Sequence, residues 1–134
     1  MRLGREPVTP TLARTWRGTT RSADADAYLA YLRRTGLAEY RRTPGNRGVL
    51  AFRRTTGDET EWLLVTLWDS PDAVRRFAAD PGDPTRAVFY PDDDRFLLER
   101  EERATHFEVV HLAPPDAAAP VPPDSDAAHP EGSQ

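Results

Sequence analysis

The sequence has no cysteine and no lysine. The first absence excludes disulfides, thiolate metal sites and cysteine nucleophiles. The second removes Schiff-base and lysine-base mechanisms, because all 18 Lys+Arg positions are arginine. Long apolar runs are missing as well, each being far shorter than the ~20 residues that a membrane-spanning helix needs. The opening MRLGREPVTPT lacks the apolar core of a secretory signal. A cytoplasmic protein without a membrane partner is the expectation.

Charge of one sign is not concentrated in the body of the chain. The 134 residues carry a formal net charge of −4. Four of the 22 acids and none of the 18 arginines fall in residues 113–134, so the residues before them are formally neutral. Adjacent arginines (Arg33-Arg34, Arg41-Arg42, Arg53-Arg54, Arg75-Arg76) sit among acids or at element edges, which reads as a solvated surface. Phosphate binding needs concentrated positive charge, so no nucleic-acid partner is expected. Residues 113–134 also hold six of the 13 prolines and show no hydrophobic period. They read as a disordered, acidic, Pro/Ala-rich tail. With an N-terminal arm over 1–11, this leaves one domain over 12–112, long enough for one core and too short for two.

Within that domain, residues 12–19 (LARTWRGT) read as a first strand. Ser22 is placed to cap a helix over residues 23–35, with Asp24 and Asp26 where the helix dipole favours acids. Ala25, Tyr28, Leu29 and Leu32 recur at helical spacing, and Gly36 is placed to end the helix. Residues 37–42 add a short helical turn before Pro44-Gly45-Asn46. Residues 48–55 and 61–68 form two strands around a Gly57-Asp58-Glu59 hairpin, the second apolar on both faces. Ser70-Pro71-Asp72 starts a second helix that buries Val74 and Phe77. A short turn is expected over 87–90. The segment around Phe96-Leu97-Leu98 fits no element clearly, and residues 105–112 (THFEVVHL) form a last strand.

The order βαββαβ predicts an α+β, ferredoxin-like fold. Right-handed crossovers give an antiparallel sheet in the order 4-1-3-2, with both helices on one face. The other face of so apolar a sheet needs a cover, and a second copy of the chain is the simplest one. A homodimer is expected.

The stretch WLLVTLWDSPDAVRRFA, a strand ending in tryptophan followed by acid-Ser-x-x-Ala and an aromatic, resembles the antibiotic biosynthesis monooxygenase superfamily. TGLAEYRRTPGNRG, and YPDDDRFLLE leading into HFEVV, resemble a branch of it found in high-GC bacteria. The resemblance covers roughly residues 12–112 and implies a dimeric α+β barrel with a pocket between sheet and helices. It also implies a monooxygenase-like protein acting on an aromatic or polyketide-like small molecule without any cofactor. In that chemistry a phenolic substrate is deprotonated and its anion reacts directly with dioxygen, while the protein supplies positioning and charge stabilisation. The same scaffold also serves non-catalytic ligand-binding or stress-associated barrels, lyases and isomerases. The haem-degrading branch fits poorly, because the position of its helix histidine is held here by Ala78.

Two residues are expected to be catalytic. Trp68 matches the strand-ending tryptophan of the family, and its indole N–H is a donor for a substrate oxygen. His106 opens the last strand and suits the removal of a phenolic proton near neutral pH. Antiparallel pairing predicts that Trp16, Trp62 and His106 share one edge of the sheet, with Trp68 near the opposite edge beside Leu12. Trp16, Tyr40, Phe77, Phe89 and Tyr90 are the expected binding walls for a small hydrophobic or aromatic ligand. Arg14 and Arg17 fall on opposite sides of the first strand, so one of them can face the pocket and stabilise an oxyanion. Asp92-Asp93-Asp94 reads as a loop with a capping aspartate rather than a cation site.

Overall fold

A computed structural model describes residues 10–78, 80 and 82–113. Nearly all of the expected N-terminal arm and tail therefore lie outside the described residues. The first strand, β1 (Leu12–Arg21), is followed by a 3-10 turn at Ser22–Asp24 and by helices α1 (Ala25–Arg34) and α2 (Gly36–Arg42). Strands β2 (Asn46–Thr56) and β3 (Glu59–Trp68) form a hairpin that leads into α3 (Pro71–Phe77). After an irregular stretch come the single turn α4 (Asp93–Phe96) and the short strands β4 (Leu97–Arg100) and β5 (Thr105–Glu108).

The sheet runs β2-β3-β1-β4, with β5 also paired to β1, and the β1–β3, β2–β3, β1–β4 and β1–β5 pairings are all antiparallel. This is the expected order with its fourth strand in two pieces. Residues 101–104 interrupt that strand where the Glu101 carbonyl turns to accept the Trp16 indole N–H at 2.9 Å. The segment around Phe96-Leu97-Leu98 thus supplies the end of α4 and the start of β4. The final strand stops at Glu108 rather than continuing to residue 112.

Local chemistry explains most of the boundaries. Ser70 caps α3 by accepting from the Ala73 N–H, with proline at the first turn. Gly57 takes φ +60 in a two-residue hairpin turn, so Glu59 belongs to β3 rather than to the turn. Two expectations fail. Ser22 does not cap a helix; its hydroxyl donates to the Gly57 carbonyl at 2.9 Å and ties the start of the helical segment to the hairpin. Gly36 opens α2 rather than closing α1, whose C-cap is Thr35.

Alternation on β1 and β3 decides which face is covered. Arg14, Trp16, Gly18 and Thr20 of β1, with Thr60, Trp62, Leu64, Thr66 and Trp68 of β3, are buried and point to the helices. There they meet Tyr28, Tyr31 and Leu32 of α1, Tyr40 of α2, and Val74 and Phe77 of α3 in one core. The opposite face carries Leu50, Phe52, Leu63, Val65 and Phe107, of which Phe52 and Phe107 are 49% and 55% exposed. No helix among the described residues is long and apolar enough to cross a membrane.

Candidate functional site

Between the helix-facing side of the sheet and the helices lies an enclosed cavity of about 30 Å³. Arg14, Trp16 and Leu64 form its floor; Tyr28, Leu32, Gly36 and Tyr40 form one wall; Ala87, Val88, Phe89, Tyr90 and Asp93 form the other. The volume suits a water or two rather than an aromatic ring. Residues 87–90 of this wall form no regular element. The expected turn over these residues is absent; tertiary bonds hold them instead, such as Ala87 N–H to the Glu102 carbonyl at 3.0 Å.

Arg14 is the dominant charge of the site and is only 3% exposed. Its Nη1 donates to the Pro84 carbonyl at 2.5 Å and to His106 Nε2 at 2.9 Å, and its Nη2 donates to the Arg86 carbonyl at 3.1 Å. The guanidinium also stacks over the Phe77 ring at 5.7 Å. Among the described residues no carboxylate pairs with it. Burial lowers its pKa, and the nearby Tyr40 hydroxyl opposes that shift. A cation taken out of water without an acid partner is costly, and backbone carbonyls offset only part of that cost. Two of the guanidinium's five N–H groups take no partner among the described residues.

His106 is defined by this contact. Arginine has no acceptor atom, so Nε2 must be the acceptor and the ring proton sits on Nδ1. Burial, and then the Arg14 charge, hold His106 below its usual pKa. The residue lies opposite Arg14 in the β1–β5 ladder, while Trp16 lies opposite Leu64 and Gly18 opposite Trp62. The expected alignment of Trp16, Trp62 and His106 at one edge is therefore corrected, since these residues occupy three successive levels of the sheet face. Trp68 does stand by Leu12, as expected.

The tyrosines supply the other polar groups. The Tyr90 hydroxyl is buried and has no hydrogen-bond partner among the described residues. Burial raises its pKa, so it remains a neutral donor. Tyr40 is buried, and its pKa is raised by burial and lowered by Arg14. Asp93, 5% exposed, accepts the Tyr90 N–H at 2.6 Å through Oδ2, and burial raises its carboxyl pKa.

The expected site residues divide into two groups. Trp16, Tyr40, Phe89 and Tyr90 line the cavity together. Trp68 and Phe77 stand behind it: Phe77 packs on Tyr40 at 4.4 Å between ring centres and on Trp68 at 5.9 Å. The Trp68 indole N–H, expected to face a substrate, donates to Thr66 Oγ1 at 2.8 Å. Arg14 is the inward arginine of β1, and Arg17 is exposed. A wider groove of about 700 Å³ lies between α2 and the edge strand β2, beside Arg33, Leu37, Arg41 and Arg47. It is open to solvent and Arg47 is already held by Asp69, so it lacks the enclosure of the smaller cavity. No cluster of metal-ligating side chains occurs among the described residues.

No protein-family model and no curated protein matches the chain in sequence. Solved structures do match in shape. The cofactor-independent oxygenase SnoaB of Streptomyces nogalater superposes with a TM-score of 0.55 and 22% identity, over 80% of this chain and 100% of its own. A candidate antibiotic biosynthesis monooxygenase from Bacillus cereus gives 0.54 and 12% identity over 80% and 100%. A monooxygenase of Streptomyces coelicolor, solved with nanaomycin D, gives 0.51 and 16% identity over 80% and 94%. The chain therefore has the fold of the antibiotic biosynthesis monooxygenases, an antiparallel sheet with helices in the ferredoxin-like α+β plan.

Proposed function

We propose that this protein is a cofactor-independent monooxygenase acting on an aromatic or polyketide-like small molecule, and that it works as a cytoplasmic homodimer. The observation that carries the reading is a buried arginine without a carboxylate partner among the described residues, set in an aromatic-walled cavity between sheet and helices. A phenolate entering this cavity meets the free N–H groups of Arg14. That contact favours the ionised form, which is the form able to give an electron to dioxygen. Stabilisation of such developing charge by one preorganised donor is worth about 10²–10³ in rate.

On binding, the cavity widens so that Trp16, Tyr40, Phe89 and Tyr90 enclose the ring, and the Tyr90 hydroxyl, without a partner among the described residues, is a donor for a second ligand oxygen. His106 orients Arg14 by accepting from it, and Trp68 braces Tyr40 through an edge-on contact at 6.3 Å. Two solved relatives in shape support the class, one a cofactor-independent oxygenase and the other a monooxygenase with nanaomycin D bound. The homodimer is supported by the apolar outer face with Leu50, Phe52 and Phe107.

Oxygen uptake with a panel of hydroxyquinols tests the reading. Uptake that falls at least about a hundredfold in Arg14→Met is expected. Uptake unchanged by Arg14→Met, His106→Ala and Trp68→Phe would remove the site assignment. The small cavity favours one rival, a non-catalytic ligand-binding or stress-associated barrel. Tight aromatic binding without oxygen uptake would select it, and turnover without oxygen would select a lyase or isomerase.

A further inference from the structure

Arg14 and Asp93 both line the cavity, yet they lie among different neighbours. Arg14 acts electrostatically on Tyr40 and His106. Asp93 acts on Tyr28 and Tyr31 of α1 and on Tyr90, and it faces Arg100 of β4 with Asp92 and Asp94 beside it. Arg100 is itself paired with Asp94. The cavity thus carries a buried cation on its floor and a buried carboxyl in one wall.

Asp93 Oδ2 takes the Tyr90 backbone N–H, which is the only hydrogen bond of this side chain among the described residues. Oδ1 is left for another donor. Asp93 is 5% exposed and lines the cavity, and its Oδ1 takes no hydrogen bond among the described residues, so it can accept from a ligand there.

We propose that Asp93 is the proton acceptor for a substrate hydroxyl at the Tyr90 wall of the cavity. The assignment rests on the oxygenase reading and extends it. In the step, the phenolic O–H bond breaks and the proton passes to Asp93 Oδ1. The electron pair stays on the substrate oxygen and delocalises through the ring toward the oxygen facing Arg14. The substrate class is therefore an aromatic carrying a hydroxyl at one end and a conjugated oxygen acceptor at the other. Burial of Asp93 supports the role, because it makes the carboxyl a stronger base than a solvated one.

The test uses 4-hydroxyacetophenone, which keeps its phenolic proton at pH 7, and its methyl ether 4-methoxyacetophenone, which differ only in the hydroxyl donor. Binding is read from the fluorescence of the full-length protein, since Trp16 lines the cavity. Wild type is expected to bind the phenol about 10–100-fold more tightly than the ether, as for a hydrogen bond to a charged group. Asp93→Asn keeps an acceptor for the Tyr90 N–H but turns an amide donor toward the ligand, and it should abolish the preference while retaining the ether. Asp93→Glu should restore part of it. Equal wild-type affinity for the two probes, or a preference that survives in Asp93→Asn, overturns the assignment. An Asp93-dependent preference without oxygen uptake contradicts the oxidation and supports the Asp93 assignment.

Discussion

Arg14 is held inside the protein by two backbone carbonyls and one imidazole nitrogen, and the imidazole gives this arrangement a pH signature. His106 must stay neutral to accept from Arg14, and its folded-state pKa lies below the usual 6.5. On acidification the unfolded chain therefore takes up the proton first. Stability that is complete above about pH 6.5 is lost as the pH falls below it. His106→Gln keeps an acceptor for Arg14 without titrating there, so urea unfolding should show a flatter pH dependence than wild type. Equal slopes in the two proteins would mean that His106 is not held neutral. The sequence revealed half of this geometry. Strand parity says that only one of Arg14 and Arg17 turns inward, but which one depends on the helices that cover the sheet. The run Asp92-Asp93-Asp94 was legible only as a loop with a capping aspartate, whereas α4 has no side-chain cap and Asp93 instead takes the Tyr90 N–H. Its burial was not legible, because that depends on Tyr28 and Tyr31 arriving from a distant helix.

At the scale of elements, features that rest on neighbouring residues are the ones the sequence predicts well. The α3 cap is such a case, and Ser70→Ala should cost about 1 kcal/mol in thermal unfolding while leaving ligand binding intact. Features fixed by distant partners are missed. Residues 87–90 look like a turn in sequence but are held as an irregular wall by β1 and by the break in the fourth strand. That break follows from the bonds of Trp16 and Arg17 to Glu101, which no local pattern announces. Gly18 shows how closely the strand and the cavity are coupled. A Cβ there would lie 2.5 Å from Trp16 Cη2 and 3.2 Å from the Glu99 carbonyl. Gly18→Ala should therefore push the indole toward the cavity, cost about 1–3 kcal/mol and weaken aromatic binding. Wild-type stability and binding in that variant would show that Trp16 is free to give way.

For the whole molecule, the sheet is the boundary between two environments. Its helix-facing side holds the core and the cavity, while its outer side presents Leu50, Phe52 and Phe107 to solvent in a single chain. A homodimer that covers this side should dissociate on Phe52→Asp, because an unpaired charge in an apolar interface is costly. Light scattering at micromolar concentration should then fall from the dimer mass to the monomer mass. A wild-type protein that is already monomeric would refute the dimer. The fold itself was readable at this scale from the order of the elements, with the fourth strand's division as the main departure.

The central claim is that the cavity oxidises an aromatic ring with dioxygen and protein groups alone. Isotope-labelled dioxygen supplied to chelator-treated, flavin-free protein with 1-naphthol, whose para carbon carries only hydrogen, tests it directly. One labelled oxygen atom is expected in the quinone product, at a rate that collapses in Arg14→Met. Unlabelled product, or turnover that appears only when a metal or flavin is added back, would contradict it.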